Sequence, residues 1–323
     1  MGYLNNNGPL FFMFDITSAC NYRCLHCYNN SGIKPKDELS DEETIDVAKQ
    51  IAEMHPESVC LCGGETMLRK NIFDIIGCLR GNAGMINMVS NGSLMTENNV
   101  KRLKEAGIDV IQISLDGINE IQHDTFRGYI GAYELAIKAI KTIRKEAIKV
   151  YVSFIPNRLN YESLSLFCDK MFELGVSVVR IMPLIPLGRG SKVDALILNS
   201  EQYVEFQTET EKNKIKYAGK GMQIEWGDPI DHLYRLPNNE TFGYKTIQYQ
   251  IKSNGDLAIS AYLPITVGNV RKHSLKEYWN AGYDRIWYEE KFKRLRDKIE
   301  NLYDFESFNE LYRNCGADFE LLK

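Results

Sequence analysis

The chain has 323 residues, 44% hydrophobic and 25% charged, with a formal net charge of −4. That composition supplies enough apolar surface for a self-supporting core, and it excludes both a disordered chain and a small scaffold dependent on cross-links. Lys and Arg cluster only on the helix-patterned stretch Lys291–Arg296, so nucleic acid is not an expected partner. No secretory segment precedes the first strand, and no apolar run approaches the ~20 residues of a membrane span, so the expectation is a cytoplasmic protein without membrane contact.

Candidate strands in chain order are Leu10–Ile16, Ser58–Cys62, Met85–Ser90, Asp109–Leu115, Lys149–Ile155 and Ser177–Met182. Amphipathic helices lie between them. Ser40 and Glu43 form a capping box ahead of Ile45, Ala48, Ile51 and Ala52 at helical spacing. Ile72, Ile75, Ile76 and Leu79 make the next stripe; Gly107 and Gly175 end two later helices. Alternating strands and helices imply a parallel sheet with right-handed crossovers. A closed eight-unit barrel takes ~250 residues, whereas the alternation here stops after six units at about residue 190, so the expected fold is α/β, a partial (β/α)6 TIM-like barrel over residues 1–190. Residues 191–240 read as a helical connector with Glu201–Tyr217 as its clearest helix. Beyond it, Ile247–Ile251, a turn at Ser253–Asp256 and Leu257–Ile259 read as a hairpin. Helices are expected around Leu275–Trp279 and Arg285–Ile299.

In parallel α/β folds ligands gather at the carboxyl ends of the strands, and the chemistry-bearing motifs fall there. Cys20-x3-Cys24-x2-Cys27 follows the first strand, three of eight cysteines within eight residues. Crowded thiolates suit a cubane iron–sulfur cluster, and three rather than four leave one iron open to another ligand. A zinc site completed by His26 is the competing reading of those residues alone. Gly63-Gly64-Glu65 follows the second strand, where paired glycines permit close backbone approach and Glu65 brings negative charge. Ser90-Asn91-Gly92 ends the third strand and Ser114-Leu115-Asp116-Gly117 the fourth. Cys60, Cys62, Cys78 and Cys168 read as small core residues, Cys62 least securely because it directly precedes the glycine pair.

Together CNYRCLHC and the strand-end motifs resemble the radical SAM superfamily, with His26 at the aromatic-type position of the cysteine motif. The resemblance implies one [4Fe–4S] cluster on Cys20, Cys24 and Cys27. It further implies S-adenosylmethionine bound at the open iron and cleaved reductively to a 5′-deoxyadenosyl radical that takes hydrogen from substrate. It assigns Gly63, Gly64 and Glu65 to the methionyl ammonium, Ser114 and Asp116 to the ribose hydroxyls with Ser90 or Asn91 nearby, Arg127 to the cofactor carboxylate and Leu187 to the adenine. Arg suits a bidentate carboxylate contact and hydroxyl or carboxylate acceptors suit a diol.

Residues 241–323 resemble the SPASM/twitch α+β extension of peptide-maturing members, through Ile251–Asp256, Gly268-Asn269-Val270 and Ser274–Trp279. The cysteines of that extension are missing: Ser260 stands where one usually follows the hairpin, the region near Phe242 has none, and Cys315 alone remains. The expectation is therefore no auxiliary cluster and a redox-neutral outcome such as epimerisation, with Cys315, or second Cys62, as a hydrogen donor. The expected substrate is a ribosomally made peptide. Reduction would come from a flavodoxin or ferredoxin. With the chain starting close to its first strand, a separate peptide-recognition protein is the expected partner unless the barrel binds the peptide itself. The alternatives are a small molecule such as a sugar, nucleoside or aminoglycoside, and an iron–sulfur or zinc protein without catalysis, which would leave Glu65, Asp116 and Arg127 without a purpose.

Overall fold

The computed structural model describes residues 8–227, 229–234, 248–312 and 319–322. Cys315 and the region around Phe242 lie outside the described residues. The strands are β1 (Phe11–Thr17), β2 (Ser58–Gly63), β3 (Ile86–Ser90), β4 (Val110–Ser114), β5 (Lys149–Phe154), β6 (Val178–Ile181), β7 (Gln223–Trp226), β8 (Gln248–Ile251), β9 (Asp256–Ala258) and β10 (Thr266–Asn269). The helices are α1 (Asp41–Glu53), α2 (Ile72–Leu79), α3 (Glu97–Ala106), α4 (Glu120–Arg127), α5 (Ala132–Lys145), α6 (Leu164–Glu173), α7 (Ser200–Tyr217), α8 (Pro229–Tyr234), α9 (Leu275–Asn280), α10 (Glu290–Arg296) and α11 (Asp304–Tyr312). The six strands read from the sequence match β1–β6 within one residue at each end. The Ser40–Glu43 capping box opens α1, and Gly107 closes α3 in the left-handed conformation at φ 109°. Among the described residues no helix is long and apolar enough to cross a membrane.

The described residues form two compact units: one holds 8–20, 33–87 and the described part of 229–322, the other 21–32 and 88–227. In the first, the sheet runs β10-β9-β8-β1-β2, with β1 parallel to both β2 and β8 and an antiparallel β8-β9-β10 meander. Alternation on β1 buries Phe12 and Phe14 on one face. Phe12 stacks on Tyr249 at 5.4 Å and Tyr249 on Tyr283 at 3.9 Å, so aromatic contacts join β1 to the C-terminal region. The compact units thus do not follow the linear boundaries at 190 and 240, because β8 pairs with β1.

In the second unit β4, β5, β6 and β7 are parallel neighbours in that order. Here one reading is corrected. Residues 191–240 hold α7 as expected, but Gln223–Trp226 is a strand beside β6, so the alternation runs one step further than the sequence pattern shows. The strand is only four residues long and buries just Ile224 fully, too little for an alternation signal. The helix expected over Arg285–Ile299 is also broken, into a 3-10 segment Tyr283–Tyr288 and α10, with Glu289 extended at ψ 125°. At 3.6 residues per turn a continuous helix would set buried Ile286 and Trp287 opposite buried Phe292, Leu295 and Ile299, and the break turns both sets inward.

Candidate functional site

In the first unit, β1 delivers the chain to Thr17-Ser18-Ala19-Cys20, with a register shift against β2 between Asp15 and Thr17. The Gly63-Gly64-Glu65 segment lies directly on this loop. Gly64 N donates to Thr17 O and Glu65 N to Ala19 O, both at 2.7 Å. A Cβ on Gly63 would lie 2.1 Å from Thr17 O and one on Gly64 2.1 Å from Ala19 O, and Gly63 has φ +134°. The glycine pair therefore serves first to seat β2 against the loop that precedes Cys20. Glu65 is fully buried and its Oε1 accepts from Met67 N at 3.1 Å.

Two residues that sequence reasoning missed hold this loop from behind. Buried Glu38 accepts from Thr17 Oγ1 at 3.0 Å and from Ser18 N at 2.7 Å. Arg69 reaches Glu38 at 3.3 Å and donates to Leu39 O, Ser40 O and Thr44 Oγ1. Ser18 and Ser253 share a hydroxyl contact at 2.6 Å. Partners 31 and 235 residues apart leave no local sequence signal.

In the second unit the loop carrying Cys24, His26 and Cys27 is pinned by its backbone. Leu25 N donates to Phe126 O at 2.9 Å, Arg189 Nε to Cys24 O at 2.8 Å, and Arg189 N to Cys27 O at 3.0 Å. Gly188, at φ +57°, allows this approach, since a Cβ there would meet Tyr28 O at 2.4 Å. Arg189 is a further residue whose role the sequence did not reveal. Leu187 beside it is buried.

Behind Cys24 stands an ion pair. Arg127 donates to Asp116 Oδ2 from Nε at 2.6 Å and from Nη2 at 2.5 Å, and its Nη1 lies 3.9 Å from Cys24 Sγ. The other Asp116 oxygen accepts from Ile155 N at 2.8 Å. Asp116 N donates to His123 Nδ1 at 2.9 Å. Fully buried and engaged at both oxygens, Asp116 orients Arg127. Ser114 ends β4 in register with Ser153. Ser90 Oγ accepts from Gly92 N, and Asn91 bonds Asn21 and Ser93, so both shape the turn after β3.

Burial pushes the Cys24 thiol above its ordinary value, and the Arg127 guanidinium pulls against that. His26 is held neutral, well below the ordinary histidine range, first by burial and then by the nearby Arg127, His123 and Arg189. Its ring stacks on Phe126 at 4.0 Å, and its buried Nδ1 has no hydrogen-bond partner among the described residues. Cys27 Sγ accepts from Ser31 N at 3.4 Å. Soft sulfur donors with a cation and an N–H beside them, and an orphaned ring nitrogen close by in the chain, fit an iron–sulfur cluster and a polar ligand. Cys20 belongs to the first unit, four residues before Cys24. Cys60 and Cys62, expected in the core, are only half-buried, whereas Cys168 is fully buried as expected.

The profile of the Radical SAM superfamily matches residues 14–184. The chain is 26% identical over 317 residues to an AdoMet-dependent heme synthase of Methanosarcina barkeri, covering 91% of this chain and 86% of that protein. It is 27% identical over 231 residues to the sporulation killing factor maturation protein SkfB of Bacillus subtilis, covering 71% of this chain and 53% of that protein. Fe-coproporphyrin III synthase of M. barkeri is 30% identical over 197 residues, 60% of this chain and 49% of that protein. The chain thus spans about half the length of these last two relatives. In fold it resembles Streptococcus suis SuiB bound to the precursor peptide SuiA (TM-score 0.71, 14% identity, 91% of this chain and 68% of that one). It also resembles native anSMEcpe with bound AdoMet (TM-score 0.66, 15% identity, 94% and 96%). The mixed α/β fold with a parallel sheet is the fold of those enzymes.

Proposed function

This chain belongs to the radical SAM superfamily, whose enzymes use a [4Fe–4S] cluster and S-adenosylmethionine, and we propose that it modifies a ribosomally synthesised peptide. When bound, the cluster and S-adenosylmethionine supply an electron and a 5′-deoxyadenosyl radical able to take hydrogen from an unactivated carbon. Cys20, Cys24 and Cys27 hold the cluster. Arg127, locked by Asp116, keeps a positive charge beside Cys24 and favours its thiolate form. The Glu38–Arg69 brace and the Gly63–Gly64 contact keep the segment before Cys20 in place.

The observation that carries the peptide reading is the β8–β10 extension joined to β1, in a chain matched over nine-tenths of its length by SuiB and anSMEcpe, both solved with peptides. SkfB and the mycofactocin maturase MftC support it from sequence. Ser260 Oγ accepts from Tyr262 N at 3.2 Å, so a turn contact occupies the position expected of a cluster cysteine, and the reading includes no auxiliary cluster. The electron donor is a flavodoxin or ferredoxin.

A second reading is favoured by the near full-length likeness to an AdoMet-dependent heme synthase: a tetrapyrrole substrate. Anaerobic incubation of reconstituted protein with S-adenosylmethionine, dithionite and either a short peptide encoded beside the gene or iron-coproporphyrin III separates the two. A mass or stereochemical change in the peptide supports the first reading; a change in the porphyrin overturns it. Cys24→Ala should abolish cluster assembly and 5′-deoxyadenosine formation, while Cys78→Ala retains both. An active Cys24→Ala protein would refute the cluster assignment.

A further inference from the structure

One face of β8-β1-β2 carries chemistry that the cofactor assignment does not use. Parallel in-register pairing aligns Gln250, Met13 and Cys60 in one row, and Asp15 with Cys62 in the next. Lys252 Nζ stands 3.6 Å from Asp15 Oδ2. The opposite face of the same strands is apolar and fully buried, with Phe12, Phe14, Val59, Leu61, Tyr249 and Ile251. Alternation alone would let this second face be any solvated surface. Two observations separate it from one.

The first is the thiol pair. Cys60 Sγ and Cys62 Sγ are 3.2 Å apart, a sulfur–sulfur hydrogen bond, and both residues are half-buried rather than sealed in the core. The second is Gln250. It is 2% exposed, yet its Oε1 has no hydrogen-bond partner among the described residues. A buried amide carbonyl left unpaired is destabilising, and a bound N–H or O–H donor would satisfy it.

We propose that Cys62 is the hydrogen-atom donor that quenches a carbon-centred substrate radical on this face, with Cys60 orienting its S–H; the proposal rests on the radical reading above. In the step, the Cys62 S–H bond breaks and a substrate C–H bond forms, leaving a Cys62 thiyl. One electron from the same class of low-potential one-electron donor that reductive cleavage already consumes, with one proton from water, restores the thiol. The substrate keeps its oxidation level, and each turnover draws two electrons in all. Such a balance suits inversion at a carbon centre. The donor must be a thiol and not a thiolate, and the Cys60 contact, followed by burial, holds the Cys62 thiol well above its ordinary range, with Asp15 adding to the effect and Lys252 opposing it.

The test needs no substrate. Reconstituted protein is incubated anaerobically in D2O with S-adenosylmethionine and dithionite, and the 5′-deoxyadenosine released by uncoupled cleavage is analysed for deuterium. Wild type and the control Cys78→Ala should give monodeuterated nucleoside, Cys60→Ala a reduced fraction of it, and Cys62→Ala and Cys62→Ser unlabelled nucleoside. Equal labelling in all five proteins, or none in wild type, overturns the proposal. Absence of any 5′-deoxyadenosine defeats the radical reading instead, so the two failures are distinct.

Discussion

Arg127 turns Nε and Nη2 onto the same oxygen of Asp116 while its Nη1 lies 3.9 Å from Cys24 Sγ. One buried carboxylate therefore fixes the plane of a guanidinium beside Cys24. Because both partners are buried, removing one leaves the other unpaired, a loss of about 3–5 kcal/mol in such pairs. Asp116→Asn should lower unfolding free energy by an amount of that order and reduce iron content after reconstitution. Arg127→Lys keeps the charge but not the planar fork. It should retain the fold yet bind S-adenosylmethionine more weakly in equilibrium titration. An Asp116→Asn protein as stable in urea as wild type would refute this account of the pair.

Gly64 and Gly77 should respond in opposite directions to the same substitution. A Cβ on Gly64 would sit 2.1 Å from Ala19 O, a backbone atom that cannot step aside, whereas at Gly77 in α2 a Cβ meets nothing within 4 Å. Gly64→Ala should displace the segment leading to Cys20 and prevent stoichiometric cluster assembly, read by iron and sulfide content. Gly77→Ala should raise stability by about 0.5–1 kcal/mol, the helix-propensity difference, with cluster content unchanged. Normal cluster loading in Gly64→Ala would show that the close approach is dispensable.

These contacts also explain what could be read in advance. The strands, the α1 capping box and the CxxxCxxC and GGE motifs are local patterns, and β1–β6 fall where alternation puts them. The roles inside the site depend on partners far apart in sequence. Asp116 looks like a polar strand-end residue until Arg127 and Ile155 N–H are seen to occupy it. Glu38 looks like one acid among several ahead of α1, and only its contacts with Thr17, Ser18 and Arg69 separate it from the others. The β8–β1 pairing, across some 235 residues, is equally silent in the sequence.

The last prediction concerns acid. Glu43 closes the α1 capping box and accepts from Arg271 Nε at 2.5 Å and Nη2 at 3.0 Å. The Arg271 hydrogen bonds, with that from Ser40 N, lower its carboxyl from 4.5 to about 2. A carboxyl depressed on folding stabilises the native state above its unfolded value and loses that contribution as pH falls through the folded one. The window is therefore pH 4.5 down to about 2. Both side chains are 37% exposed, so solvent screening holds the effect to about 0.2–1 kcal/mol. Glu43→Gln keeps a side chain able to close the capping box but removes the charge. Urea unfolding at pH 7 should show the variant less stable by that amount, and the gap should shrink steadily as wild-type Glu43 takes up its proton. A gap that stays constant from pH 7 to pH 3 would mean that the Arg271 pairing contributes nothing through charge.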